Sequence, residues 1–271
     1  MTPVLPERVA GFRLAALLRA AGIVGGVVIA AVVAFAVTAH VAGVSTSSVK
    51  PLAPPAAITP SPSPPSLQDI GRAALTRVVT VEADRTNEVA LGTAWLLDTH
   101  GDFVTNAHVV EGQLTVRLTD RTAHTHPATV LGSDNTTDIA VVRSTDGFAG
   151  DPLPVRTAPV SGVPLPVVDV ASSRATGHDD ITTASLSRTG QAVPLQPGEV
   201  QAGANVPSVY LDMLAITGAM VYQGNSGGPV LDATGRVVGI LTLASPSLPE
   251  AYAVPLSRVN GELTQFAARS G

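Results

Sequence analysis

The sequence predicts an all-β globular domain of the sandwich or barrel type, set behind an apolar N-terminal segment and a proline-rich stretch. Three observations predict it. From about Ser66 onward, short β-like runs alternate with turn residues. Ala21 to Ala39 is a run of 19 uncharged, largely apolar residues. Seven of the 22 prolines fall between Pro51 and Pro65, separating the two regions.

Residues 1–19 carry Arg8, Arg13 and Arg19 against Glu7, and residues 20–44 contain no charge. A helix needs roughly 20 apolar residues to cross hydrocarbon. The arginines before the run place the N-terminus on the cytoplasmic side. The expectation is a cytoplasmic segment, 1–19, and a transmembrane signal anchor, 20–44. A signal peptide is the rival, with Val37-Thr38-Ala39 as a small-x-small cleavage site that would release the rest as a secreted protein. Residues 45–66 cannot bury a core and read as an extended linker. The rest of the chain is then expected outside the cytoplasm, held at the cell membrane by one pass.

The 271-residue chain has no cysteine, which excludes disulfide scaffolds, thiol catalysis and cysteine zinc sites. A net charge of -5 argues against a nucleic-acid partner, which needs a basic face. Within 67–271 the β-like runs are 77–82, 92–97, 114–118, 128–131, 139–143, 167–170, 209–213, 229–232, 237–243 and 251–254. A short helix opens the domain near 67–75. Another closes it, with Val259, Leu263 and Phe266 at helical spacing.

Three segments carry chemistry: Thr105-Asn106-Ala107-His108-Val109-Val110, the stretch Asp134 to Val142, and Gly224-Asn225-Ser226-Gly227-Gly228-Pro229-Val230. A serine hydroxyl is a weak nucleophile until a base accepts its proton during attack. Imidazole suits that role near neutral pH. A carboxylate on the other ring nitrogen fixes the tautomer and stabilises the imidazolium. His108 is the expected base, Asp138 the orienter and Ser226 the nucleophile. Asp134 is the rival orienter, but Asp138 directly precedes an apolar strand. The order His, Asp, Ser differs from the subtilisin and α/β-hydrolase orders. Backbone N–H groups of the Gly224-Asn225-Ser226 turn form the expected oxyanion hole, with Gly224 and Ser226 as donors. His124-Thr125-His126 and His178-Asp179-Asp180 lack a third ligand and read as loop polarity, so neither metal nor cofactor is expected. Trp95 reads as core.

GNSGGPV, TNAHVV and the D-x-A-V-V segment resemble the trypsin-like serine proteases, most closely the HtrA/Deg branch, across most of residues 75 to 268. Ala251-Tyr252-Ala253-Val254-Pro255 is similar to a late strand of that branch. The resemblance implies two six-stranded antiparallel β-barrels, about 75–157 and 158–256, followed by a helix, 257–269. It implies an active site in the cleft between them and polypeptide substrates. Two departures stand out. The chain stops after one helix, where HtrA-type proteins usually carry a PDZ domain. Asn225 stands where the digestive enzymes have the Asp that pairs with a new N-terminus, so no such activation step is expected. By the same resemblance the residue six before the nucleophile, Met220, lies at the base of the specificity pocket, with Leu243 and Ala244 as the alternative lining. An uncharged pocket predicts cleavage after apolar residues. The reading is a membrane-tethered serine endopeptidase. Its alternatives are a catalytically silent binding protein on the same fold and an esterase.

Overall fold

The computed structural model describes residues 63–86, 88–177, 180–195, 206–219, 221–245 and 248–269, without the side chain of Ser173. Residues 1–19, the expected membrane segment 20–44 and most of the linker lie outside this set, as do Met220, His178 and Asp179. Among the described residues no helix is long and apolar enough to cross a membrane.

The domain begins with α1, Leu67–Ala74, started by a reciprocal capping box. The Ser66 hydroxyl accepts the Asp69 N–H, and the Asp69 carboxylate accepts the Ser66 N–H. Six strands follow: β1 Val78–Asp84, β2 Val89–Leu96, β3 Asp102–Thr105, β4 Thr115–Thr119, β5 Thr125–Asp134 and β6 Ile139–Ser144. They close in the order β1-β2-β3-β6-β5-β4, and closure leaves no open edge. Six more, β7 Leu165–Val170, β8 Ile181–Pro194, β9 Val209–Thr217, β10 Pro229–Asp232, β11 Val237–Ala244 and β12 Glu250–Pro255, close as β10-β11-β12-β9-β8-β7. All these strand pairings are antiparallel. Two single-turn helices, α2 Ala107–Val110 and α3 Ser173–Thr176, lie in the loops, and α4, Leu256–Ala267, ends the fold.

Strand alternation explains why the sequence runs are continuously apolar. Val79, Val81 and Ala83 point into the first barrel with Phe103, Leu118 and Val142. Their neighbours Val78, Trp95, Val104 and Val141 point out into a second cluster, shared with Val168, Val170, Ile240 and the faces of α1 and α4. That cluster welds the barrels together. Trp95 is fully buried in it, as expected. The second barrel is filled by Val167, Leu186, Leu214, Ile216, Val230 and Leu241.

Both helices cross over. α1 precedes the first barrel but packs on β7 and β8 of the second, where Gly71 approaches Ile181 too closely for a side chain. α4 follows the second barrel but packs on β5 and β6 of the first, with Phe266 against Gly132. Arg143 of β6 fixes that return. Its guanidinium makes two bonds to the buried Asp102, of 2.6 and 2.7 Å, and reaches the carbonyls of Ala267 at 2.7 Å and Arg269 at 3.2 Å. Two strands were not among the sequence runs. β3 has four residues and leads straight into the His108 segment. β8 is long and polar, slips register three times against β9, and of its side chains only Leu186 is fully buried.

Candidate active site

His108 sits in α2, whose entry residue Asn106 does not cap it. The Asn106 amide instead donates to the Asp138 carbonyl at 2.7 Å and to Thr242 Oγ1 at 3.0 Å, tying the first barrel to β11 of the second. Asp138 lies immediately before β6 with φ +58, a left-handed conformation that Asp tolerates better than most residues. This turns its fully buried carboxylate back onto α2. Oδ1 accepts the His108 backbone N–H at 2.9 Å, and Oδ2 pairs with His108 Nδ1 at 2.8 Å. Asp134 is engaged locally, accepting from Thr136 and Thr137, and does not reach His108.

Burial pulls the His108 imidazolium down, but the Asp138 charge and hydrogen bond outweigh it. The net direction is upward from 6.5, against the opposing Arg85 guanidinium, which donates to the His108 carbonyl. Burial, then the charge of Asp138, holds the Tyr210 phenol of β9 above its usual range, so it stays protonated.

Ser226 lies in a tight loop fastened to the first barrel. The Thr93 N–H donates to the Ser226 carbonyl, and Thr93 Oγ1 donates to the Gly224 carbonyl, both at 2.8 Å. Gly224 has φ +98, and a side chain there would overlap the Ala175 carbonyl of α3. Gly227 has φ +89 and lies against the Thr93 carbonyl. Three N–H groups of the loop are spent within it or on β11: Asn225 on Tyr222, Gly227 on Leu241 and Gly228 on Asn225. Among the described residues, those of Gly224 and Ser226 have no protein acceptor. Asn225, the middle residue of the expected oxyanion turn, lies between these two as a brace of the loop. Its N–H is committed, and its side chain joins the Tyr222 N–H at 2.8 Å to Asp169 at 2.9 Å.

His108 and Ser226 line one cleft of about 1030 Å³ between the barrels, together with Gly224, Leu243 and Ala244. Ser226 Oγ–H is directed at the Thr242 carbonyl, 3.5 Å away, and makes no hydrogen bond to His108. Met220 lies outside the described residues. His126 stacks on Phe148 at 3.8 Å and bonds Asp146, and among the described residues no group of three metal-ligating side chains gathers. Sequence reasoning missed Asn106, Thr242, Tyr210 and Asp169. Of these, Asp169 carried a visible signal, as the lone acid in the apolar run Leu165 to Ala171.

Two closed six-stranded barrels meeting at such a cleft form the architecture of two-barrel peptidases. Residues 92–240 match the family described as the trypsin-like peptidase domain, more than half of the chain, and the chain belongs to that family. HhoA of Synechocystis sp. is 32% identical over 180 residues, covering 65% of this chain and 43% of that protein. Serine protease HTRA1B of Danio rerio is 30% identical over 204 residues, covering 71% and 39%. The Rv3671c protease from M. tuberculosis, in its active form, shares the fold with a TM-score of 0.61 at 24% identity, covering 82% of this chain and 95% of that one. The chain spans less than half the length of the curated relatives it matches.

Proposed function

We propose that this protein is a membrane-tethered, extracytoplasmic serine endopeptidase that cleaves polypeptides through an acyl-enzyme. The observation that carries the reading is His108, held by Asp138 through its backbone N–H and its ring Nδ1, facing the same cleft as Ser226 and two uncommitted N–H groups. Rotation of Ser226 Oγ from Thr242 to His108 Nε2 readies the nucleophile. As Oγ bonds to the substrate carbonyl carbon, His108 takes its proton and then delivers it to the leaving amine. Asp138 keeps the Nδ1–H tautomer and balances the imidazolium. Gly224 and Ser226 N–H receive the oxyanion, each donor contributing about 2.7–4 kcal/mol. Water then releases the acyl group by the same steps. Relatives named as proteases support the reading.

A second reading is favoured by one observation, the Ser226 hydroxyl turned to Thr242. It is a binding protein that keeps the fold without turnover. A fluorophosphonate probe separates the two. Covalent labelling that is lost in Ser226→Ala, with cleavage of a peptide library after apolar residues, supports the peptidase. An unlabelled native chain supports the binding protein. The tether rests on the charge-free run and the arginines before it. Alkaline phosphatase fused after residue 66 is expected to be active in the membrane fraction. Activity released into the medium by cleavage near Ala39 would refute the anchor.

A further inference from the structure

Asp169 is an acid inside a barrel. It shares a strand face with Val167, which belongs to the interior of the second barrel, and it is 1% exposed. Its cross-strand neighbours are Thr182 on β8 and Val230 on β10. Among the described residues no charged group acts on it from those strands or from the nucleophile loop. One carboxyl oxygen, Oδ2, accepts the Asn225 amide at 2.9 Å, and the other, Oδ1, is buried with no hydrogen-bond partner among the described residues.

The surroundings of Oδ1 are rich in acceptors. A side-chain carbon built on Gly228 would lie 2.7 Å from the Val170 carbonyl oxygen, 2.9 Å from that of Asn225 and 3.3 Å from Asp169 Oδ1. Two carbonyl oxygens and Asp169 Oδ1 thus border the space beside Gly228. The Gly228 N–H beside them is already given to Asn225. A proton on Oδ1 gives that oxygen a hydrogen to offer the carbonyls beside it. Burial without a cation acts in the same direction. Loss of solvation, only partly offset by the Asn225 amide and the Val170 N–H, pushes the Asp169 carboxyl up to about 7.

Asn225 carries this to the cleft. Its side chain accepts the Tyr222 N–H and its backbone N–H donates to the Tyr222 carbonyl, closing the turn that holds Gly224 at φ +98 next to Ser226. Resting on the peptidase reading above, we propose that Asp169 is a positioning residue. As a neutral acid it braces Asn225 and aims the Gly224 and Ser226 donors into the cleft, and the buried charge created by its ionisation disturbs the turn around Asn225. The proton lost on ionisation goes to solvent. An unpaired buried anion then draws water or movement into the loop, and the oxyanion donors lose their alignment. His108 sets the acidic limb of activity, above its ordinary 6.5, and Asp169 adds an alkaline limb centred near 7. Activity is confined to a narrow band near neutrality.

The test measures the fluorophosphonate labelling rate from about pH 5 to pH 9 for the native chain and Asp169→Asn, which presents a permanent donor in place of the acid proton. Well above the midpoint the native rate is expected to fall about tenfold per pH unit, while Asp169→Asn stays level there. The same alkaline fall in both would overturn the proposal. An infrared titration of the native chain gives an answer independent of activity and of how the variant folds. One carboxylic acid band is expected to vanish with a midpoint near 7, and absence of such a band would also overturn it. A native chain that shows the band but never labels refutes the peptidase reading while leaving the acid brace in place.

Discussion

Replacing Asp138 by Asn tests the chemistry at the point where the structure is most specific. The carboxylate takes two hydrogens at once, the His108 N–H at 2.9 Å and Nδ1–H at 2.8 Å. An amide has one acceptor oxygen. If that oxygen keeps the backbone N–H, the NH₂ faces Nδ1 and forces it to accept. The proton then moves to Nε2, the atom that must be free to take the serine proton. In the Ser-His-Asp template this change costs about 10⁴ in kcat, equivalent to about 5 kcal/mol of barrier. The fold should survive, because Asn tolerates the φ +58 conformation as Asp does. Steady-state cleavage of an apolar peptide across pH is the assay, with thermal melting as control. The residual acidic limb should also move down, since the charge that raises His108 is gone. A well-folded variant within tenfold of the native rate would refute the base assignment of His108.

Other outcomes follow from the same geometry. Gly224→Ala places a methyl against the Ala175 carbonyl at a left-handed φ, so the peptide must turn its N–H away from the cleft. Labelling should fall about 10²–10³-fold; an unchanged rate would remove Gly224 from the oxyanion donors. Asp102→Ala leaves the Arg143 guanidinium without its bidentate partner and should cost about 3–5 kcal/mol in urea unfolding. A loss below 1 kcal/mol would contradict a structural role for the pair. For Asp169 the folded carboxyl titrates near 7 and the unfolded one near 3.8, so the folded chain holds the extra proton between them. Its stabilising effect is full below about pH 4 and is lost as pH rises through 7. Asp169→Asn should therefore match the native stability in acid and exceed it above pH 7 by about 4 kcal/mol, at 1.36 kcal/mol per pH unit. Parallel stability curves across pH would count against this.

The β-rich fold class was legible because strands buried on both faces read as apolar runs such as Val78 to Val81 and Ile139 to Val142. The number of strands was not legible from the runs alone. β8 fully buries only Leu186, and β3 is too short to show a period. His108, Asp138 and Ser226 announced themselves through residue type and order and, for Ser226, the glycines beside it. Asn106, Thr242 and Tyr210 did not, because their importance is a matter of which strand lies across from them. Thr242 meets Asn106 across 136 positions of sequence. The apolar run at Ala21 to Ala39 remains a statement about composition, since those residues lie outside the described structure.

The return of α4 to the first barrel has a consequence for biosynthesis. β6 ends at Ser144, but the helix that covers β5 and β6 ends at Ala267. At about 5–20 residues per second a ribosome needs roughly 6–25 s to make the intervening chain. Throughout that interval the outer face of β6 and the Arg143 guanidinium await their cover. His108 and Asp138 emerge early and Ser226 late, and the helix that clasps the two barrels emerges last. The cleft thus draws on segments made at both ends of this interval, and the cover of β6 is among the later parts of the domain to be made.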